Sequence, residues 1–159
     1  MTLFAVLFGG LRAIACTCDS APTVDAALAQ SDAVFVGTVI SGKLLVGRRG
    51  DPYARVFTFA VVEAYKGVAE SNIEVQTGIG WGDCGLDFLV GRKYLVYACN
   101  DTWGGRGQTV LQADICTRTA PCQTRPGWDL DPDSDPDIEF LRRICHDALS
   151  RKQGIEPQQ

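Results

Sequence analysis

The pattern of apolar and polar positions divides the chain into a β-rich body and a helical end. "AVFVGTVI" (33–40) is continuously apolar and β-branched, which predicts a strand buried on both faces. "YARVFTFAVVEAYKG" (53–67) alternates. Val56, Thr58, Ala60 and Val62 share one face and Phe57, Phe59, Val61 and Glu63 the other, which predicts a long strand ending at Lys66-Gly67. "NIEVQTG" (72–78), "RKYLVYAC" (92–99) and "QTVLQADIC" (108–116) predict three more strands. The last two form a hairpin around the polar loop "NDTWGGRG" (100–107). "SGKLLVGRRGDP" (41–52) reads as a Gly-rich connection with a basic tip, and "IGWGDCG" (79–85) as a Gly-rich turn. Helical spacing appears twice. "TVDAALAQSD" (23–32) predicts a short helix capped by Thr23. "PDIEFLRRICHDALSRK" (136–152) predicts an amphipathic helix with Asp135 as cap and Pro136 in the first turn. Ile138, Leu141, Cys145, Ala148 and Leu149 lie on its one apolar face.

Five strands with short links predict a mainly β fold. The expected architecture is an OB-fold-like, five-stranded antiparallel barrel with a short N-terminal helix and a C-terminal helix. A two-sheet sandwich is the alternative, and it usually wants about seven strands.

Composition adds a compartment. "LFAVLFGGL" (3–11) is apolar but too short to span a bilayer, and Ala13-Ile14-Ala15 is a small-x-small cleavage pattern. Residues 1–15 therefore read as a signal peptide, although the usual basic residues before the apolar run are missing. The expected layout is barrel at 16–120, acidic Pro/Asp linker at 121–135 and helix at 136–152. The expected location is secreted, extracellular or periplasmic. Without Arg12 the processed chain has 14 basic against 19 acidic side chains, a balance that repels phosphate backbones, so nucleic acid is not an expected partner.

Seven cysteines (16, 18, 84, 99, 116, 122 and 145) follow the cleavage pattern, and in an exported chain of this size they read as a disulfide framework. Their spacing does not suit a zinc cluster. Cys16 and Cys18 cannot easily bond each other across one residue, so they can tie one segment to two places. Cys84 lies in a turn and Cys116 at a strand end, the kinds of places such ties go.

The usual catalytic patterns are missing, and no cofactor or enzymatic activity is expected. His146 falls on the polar side of the C-terminal helix and reads as a solvated residue. "DLDPDSDPD" (129–137) resembles a calcium loop, but Ser134 and Phe140 stand where an EF-hand needs Gly and Glu, so it reads as an acidic linker and cap. "NDT" (100–102) is a glycosylation sequon.

Cys16-Thr17-Cys18 at a processed N-terminus is followed by "SDAVFVGTVI", "AYKG", a Cys-Gly-x-x-Phe-x-x-Gly run at 84–91 and Cys-x-Arg-Thr at 116–119. Together these resemble the netrin-like module of tissue inhibitors of metalloproteinases, in its single-domain bacterial form, from Cys16 to about Thr119. The resemblance implies an OB-fold barrel with its N-terminus held by Cys16–Cys84 and Cys18–Cys116 bridges. It also implies a protease-binding ridge of Cys16, Thr17, Cys18, Asp19, Ser20, Asp83 and Cys84. The Cys16 α-amine and carbonyl would bind the catalytic zinc of a target metalloendopeptidase, with Thr17 projecting into the adjacent pocket. The extra Cys99, Cys122 and Cys145 have no partners in the family pattern; Cys122–Cys145 is one pairing open to them, and Cys99–Cys122 another. The expected function is a secreted metalloendopeptidase inhibitor, monomeric. The alternative is a non-inhibitory netrin-like cell-surface module. Ala13-Ile14-Ala15-Cys16 is also a degenerate lipobox, so membrane attachment is expected only if Cys16 is lipidated.

Overall fold

The computed structural model describes residues 16–18, 20–80, 82–102, 109–122 and 135–152, the last with side chains through 146. The expected signal peptide, Asp19, the tip of the 100–107 loop, the linker from 123 to 134 with its calcium-like run, the side chains of Ala148 and Leu149, and the tail lie outside the described residues.

The elements run α1 (Val24–Gln30), β1 (Ala33–Val46), β2 (Pro52–Lys66), β3 (Asn72–Thr77), β4 (Lys93–Asp101), β5 (Val110–Gln112), β6 (Ala120–Pro121) and α2 (Pro136–Lys152). β1 pairs with both β2 and β4, so the order β1-β2-β3-β5-β4 closes on itself as a five-stranded, OB-fold-like barrel, with β6 added beside β4. One pairing departs from the antiparallel expectation: β3 and β5 run parallel at Gln76 and Gln112. Parity requires it. A closed ring with an odd number of strands cannot alternate direction at every junction.

Three boundaries also differ from the sequence reading. β1 continues to Val46, because Ser41–Val46 keep pairing with Pro52–Thr58 through two register shifts. The connection at 41–52 is therefore mostly hairpin, and only its tip is a turn. β5 is three residues long, because Asp114 turns the chain through its carboxylate, which accepts from Cys116 N–H at 2.8 Å and Thr117 N–H at 3.0 Å. β6 has no strand signal of its own, since its two residues are Ala120 and Pro121.

Residues 33–37 of β1 and 94–98 of β4 are buried on both faces, which accounts for the apolar runs there. The inner face supplies Phe35, Val39, Phe57, Phe59, Val75 and Val96 to the barrel core. Phe88, from the loop before β4, plugs that core with edge-to-face contacts to Phe57, Phe59 and Tyr94 at centroid distances of 5.2, 5.1 and 4.9 Å. The outer face supplies Val34, Val36, Leu95 and Tyr97, which pack under Ala27 of α1 and Ile138 and Leu141 of α2.

Polar caps fix both helices. Thr23 Oγ1 accepts from Ala26 N–H at 3.3 Å to start α1, and Lys66 Nζ donates to the Leu28 and Ala29 carbonyls at its end. Asp135 Oδ1 accepts from Asp137 N–H at 3.0 Å to start α2. Arg142 then pins α2 to β2 through a forked contact to the Glu63 carboxylate, Nη2 to Oε2 at 2.7 Å.

Candidate functional site

Three segments converge at one edge of the barrel: the N-terminal residues 16–18 and 20–22, the connection between β3 and β4 that carries Cys84, and the turn 113–119. Two disulfides join them. Cys16 bonds Cys84 with Cα atoms 5.4 Å apart, and Cys18 bonds Cys116 with Cα atoms 5.3 Å apart. The two loops are joined to each other as well, by Ile115 N–H donating to Cys84 O at 3.0 Å. The sulfurs of Cys16, Cys84 and Cys116 lie within 4.8 Å of one another, so the bridges meet almost at one point. All three sulfurs are bonded in disulfides, so this group offers no thiolate to a metal.

The loop that holds Cys84 is built around Asp83. Its carboxylate accepts from the N–H groups of Ile79, Gly80 and Gly85 at 2.7, 2.9 and 3.2 Å. Burial acts to raise the Asp83 pKa, but these backbone donors outweigh it and hold the group below the ordinary carboxylate range. Gly85 is dictated by close approach, since a Cβ there would sit 2.4 Å from Gly78 O. Cys84 itself is in the left-handed region at φ 63°, a conformation an L-residue holds only when its surroundings impose it. Arg55 on β2 completes the support: Nε donates to Gly78 O at 3.1 Å, Nη2 to Leu86 O at 2.9 Å, and Nη1 pairs with Asp87.

The N-terminal segment has a third anchor. Arg118 Nη1 donates to Pro22 O at 2.8 Å, while its Nε and Nη2 grip the Asp137 carboxylate at the start of α2. Thr119 brackets β4, accepting from Tyr97 N–H and donating to Tyr97 O through one hydroxyl. The Cys-x-Arg-Thr run thus supplies one disulfide and two structural brackets. Behind the segment, a cavity of about 210 Å³ opens between Pro22, Ser31, Cys99, Cys116 and Arg118.

Of the sequence-predicted ridge, Cys16, Thr17, Cys18 and Ser20 share one segment and Asp83 and Cys84 lie in the facing turn. Thr17 and Ser20 are exposed, whereas Cys16 and Cys18 are half-buried. Asp19 lies outside the described residues. Ile115 belongs to this edge and was not singled out from the sequence. It is 49 % exposed between the two bridges, an apolar side chain where the edge faces solvent. Its signal is the Asp114 turn, which lifts it off the strand. Arg118 was visible in the motif, but its role was not.

The remaining cysteines are separate half-buried thiols, so neither the Cys122–Cys145 nor the Cys99–Cys122 bridge is formed. Cys145 lies against Tyr65 O at 3.7 Å, and Cys122 packs into the cluster beneath α2. Burial pushes all three thiols up, Cys122 to about 11, which keeps them protonated and poorly nucleophilic near neutral pH. His146 is exposed on α2, away from this edge in sequence and element. No helix among the described residues is long and apolar enough to cross a membrane. No protein-family model matches the chain, and no curated protein matches it either.

Proposed function

We propose that this protein is a secreted inhibitor of zinc endopeptidases, of the metalloproteinase-inhibitor type that its motifs resemble. One observation carries the reading. A three-residue segment, Cys16-Thr17-Cys18, is bridged at both ends to two loops that are themselves hydrogen-bonded, with the exposed Thr17 between the bridges. Such a segment loses little further freedom on docking, which is the main cost of binding an extended chain in a protease cleft. Cleavage after Ala15 makes the Cys16 nitrogen a primary amine. With an ordinary α-amino pKa of about 7.7–8.0, a substantial fraction is neutral and able to ligate a metal near neutral pH. That amine and the Cys16 carbonyl would chelate the zinc of the protease, and Thr17 would enter the pocket beside it. Ile115 and Ser20 would extend the contact. The Cys16–Cys84 bridge supports this reading over an anchored module, because a lipid thioether on Cys16 would consume the same sulfur.

The test is titration of the processed protein against a panel of zinc endopeptidases. One alanine added before Cys16 converts the amine to an amide and should weaken inhibition by roughly a hundredfold or more. Thr17→Gly should weaken it less, because the chelate remains. Equal potency of the extended form would exclude the mechanism. Intact mass of the processed protein reads the competing state, since a diacylglycerol increment on the N-terminal peptide would leave an anchored netrin-like module.

A further inference from the structure

β3 pairs with β2 along its whole length, from Asn72 to Thr77, but it meets β5 at one position only, Gln76 with Gln112. β5 stops after three residues, because Asp114 diverts the chain. The parallel junction is therefore short, and a cavity of about 290 Å³ opens beside it. Its walls include Val56, Glu74, Gln76, Asn100, Thr109 and Leu111, none of which belongs to the bridged edge. That volume is near the lower end for small-molecule sites, about 300–1,000 Å³.

The period of two along a strand sets which side chains reach this cavity. Phe57 and Val75 lie in the barrel core, so their neighbours Val56, Glu74 and Gln76 project from the outer face. An outward glutamine on a strand is ordinarily solvated. Gln76 is only 6 % exposed, and no described residue gives its side-chain amide a hydrogen bond. Across the junction, Gln112 Oε1 is also buried without a partner. Buried amides are normally satisfied, because an unpaired one has lost its water and gained nothing in return. Two at one junction, one of them on a cavity wall, mark groups whose partner comes from outside the chain.

We propose that this cavity binds one pyranose ring of a neutral glycan. A sugar hydroxyl both donates and accepts. The Gln76 and Asn100 amides offer both functions in one planar group, which suits a pair of adjacent hydroxyls. Glu74 adds an acceptor: Lys43 Nζ holds its Oε1 at 2.8 Å, and the second oxygen is left for a hydroxyl donor. Val56 and Leu111 supply aliphatic surface for the C–H face of the ring. The same walls disfavour other ligands. The Glu74 charge opposes phosphate and sulfate groups, and a wholly apolar molecule would leave the amides unpaired. Asn100 and Thr109 are exposed, so the cavity is open beside them and the rest of a glycan chain can continue into solvent. This reading is independent of protease inhibition and uses a different surface.

The test is amide NMR of the isotopically labelled processed protein, titrated with neutral methyl pyranosides of the gluco, manno, galacto and N-acetylgluco series. At least one should give saturable shifts with a midpoint in the millimolar range, centred on the Gln76 side-chain amide and the backbone of Glu74 and Leu111. Gln76→Met keeps the length of the side chain and removes its polar atoms. It should weaken that binding by roughly tenfold or more while the thermal midpoint stays the same or rises, since an unpaired buried amide is removed. Asn100→Ala, at an exposed position, should weaken binding by several-fold with the midpoint unchanged. The proposal is overturned if no glycoside of the panel shifts the Gln76 amide saturably, or if binding survives Gln76→Met. It is overturned equally if Gln76→Met melts lower, because Gln76 would then be a structural residue with a partner inside the fold.

Discussion

The bridged edge and the hairpin tip are both exposed, and both are ordered, but by opposite means. At the edge, three segments distant in sequence are joined by two disulfides, by Arg118 and by the Ile115–Cys84 hydrogen bond. At the tip, residues 47–51 between β1 and β2 are closed by two of their own hydrogen bonds. Non-local closure must work against a large loss of chain entropy, which is why it uses covalent bonds; local closure needs only a glycine in the left-handed region. The consequence is a difference in coupling. The edge rests on the barrel core through Phe88, and a change there reaches the fold. A change at the tip should stay at the tip.

Phe88→Ala tests that coupling most severely. Phe88 is 5 % exposed and contacts Phe57, Phe59 and Tyr94, although it comes from the same loop as Cys84. Its truncation should cost about 3–5 kcal/mol in chemical denaturation. Arg49→Ala at the tip should stay within about 0.5 kcal/mol. A loss below about 1 kcal/mol for Phe88→Ala would mean that the loop is not part of the core.

The Cys18–Cys116 bridge comes next. It closes a separation of 98 residues, so the double substitution Cys18→Ser, Cys116→Ser should cost about 2–5 kcal/mol. Under the proposed function it should also weaken inhibition, because Thr17 would be held from one side only. A variant that inhibits at full strength but melts early would separate the stabilising role of the bridge from its positioning role.

The sequence carried these two regions unequally. The Phe57/Phe59 alternation and the run at 33–40 made the barrel strands legible, because burial on one or both faces writes directly into residue type. The same logic failed at 41–46. Leu44 and Val46 are more than half exposed there, and Ser41, Gly42 and Gly47 look like a loop, yet backbone pairing across the hairpin continues the strand. β5 failed in the other direction: nine residues with strand character yield three, since Asp114 diverts the chain. At the edge, the spacing of Cys16 and Cys18 implied two ties but not their partners. The partners came from the motif resemblance. Arg118 was unreadable as an anchor, because its contacts lie 96 residues back at Pro22 and 19 ahead at Asp137.

The smallest expected effect isolates the turn beneath Cys84. Asp83 is exposed, so its value lies in organising backbone N–H groups and not in burial. Its pKa is held below the ordinary range, so the folded state binds the proton less readily than the unfolded chain does. The sign follows. The stabilisation is fully present above the unfolded value of about 3.9 and is lost as pH falls through the lower folded value. Asp83→Asn places an amide where three N–H donors converge, and only one of its two terminal atoms can accept. Its denaturation midpoint should therefore lie slightly below that of the unmodified protein at about pH 6, and the gap should close as pH falls below the unfolded value and through the lower folded one. Arg49→Ala at the hairpin tip serves as control, since its difference should not vary over the same window. A gap that persists unchanged into acid would show that Asp83 acts through shape alone, and that the turn beneath Cys84 is held by the disulfide and not by its carboxylate.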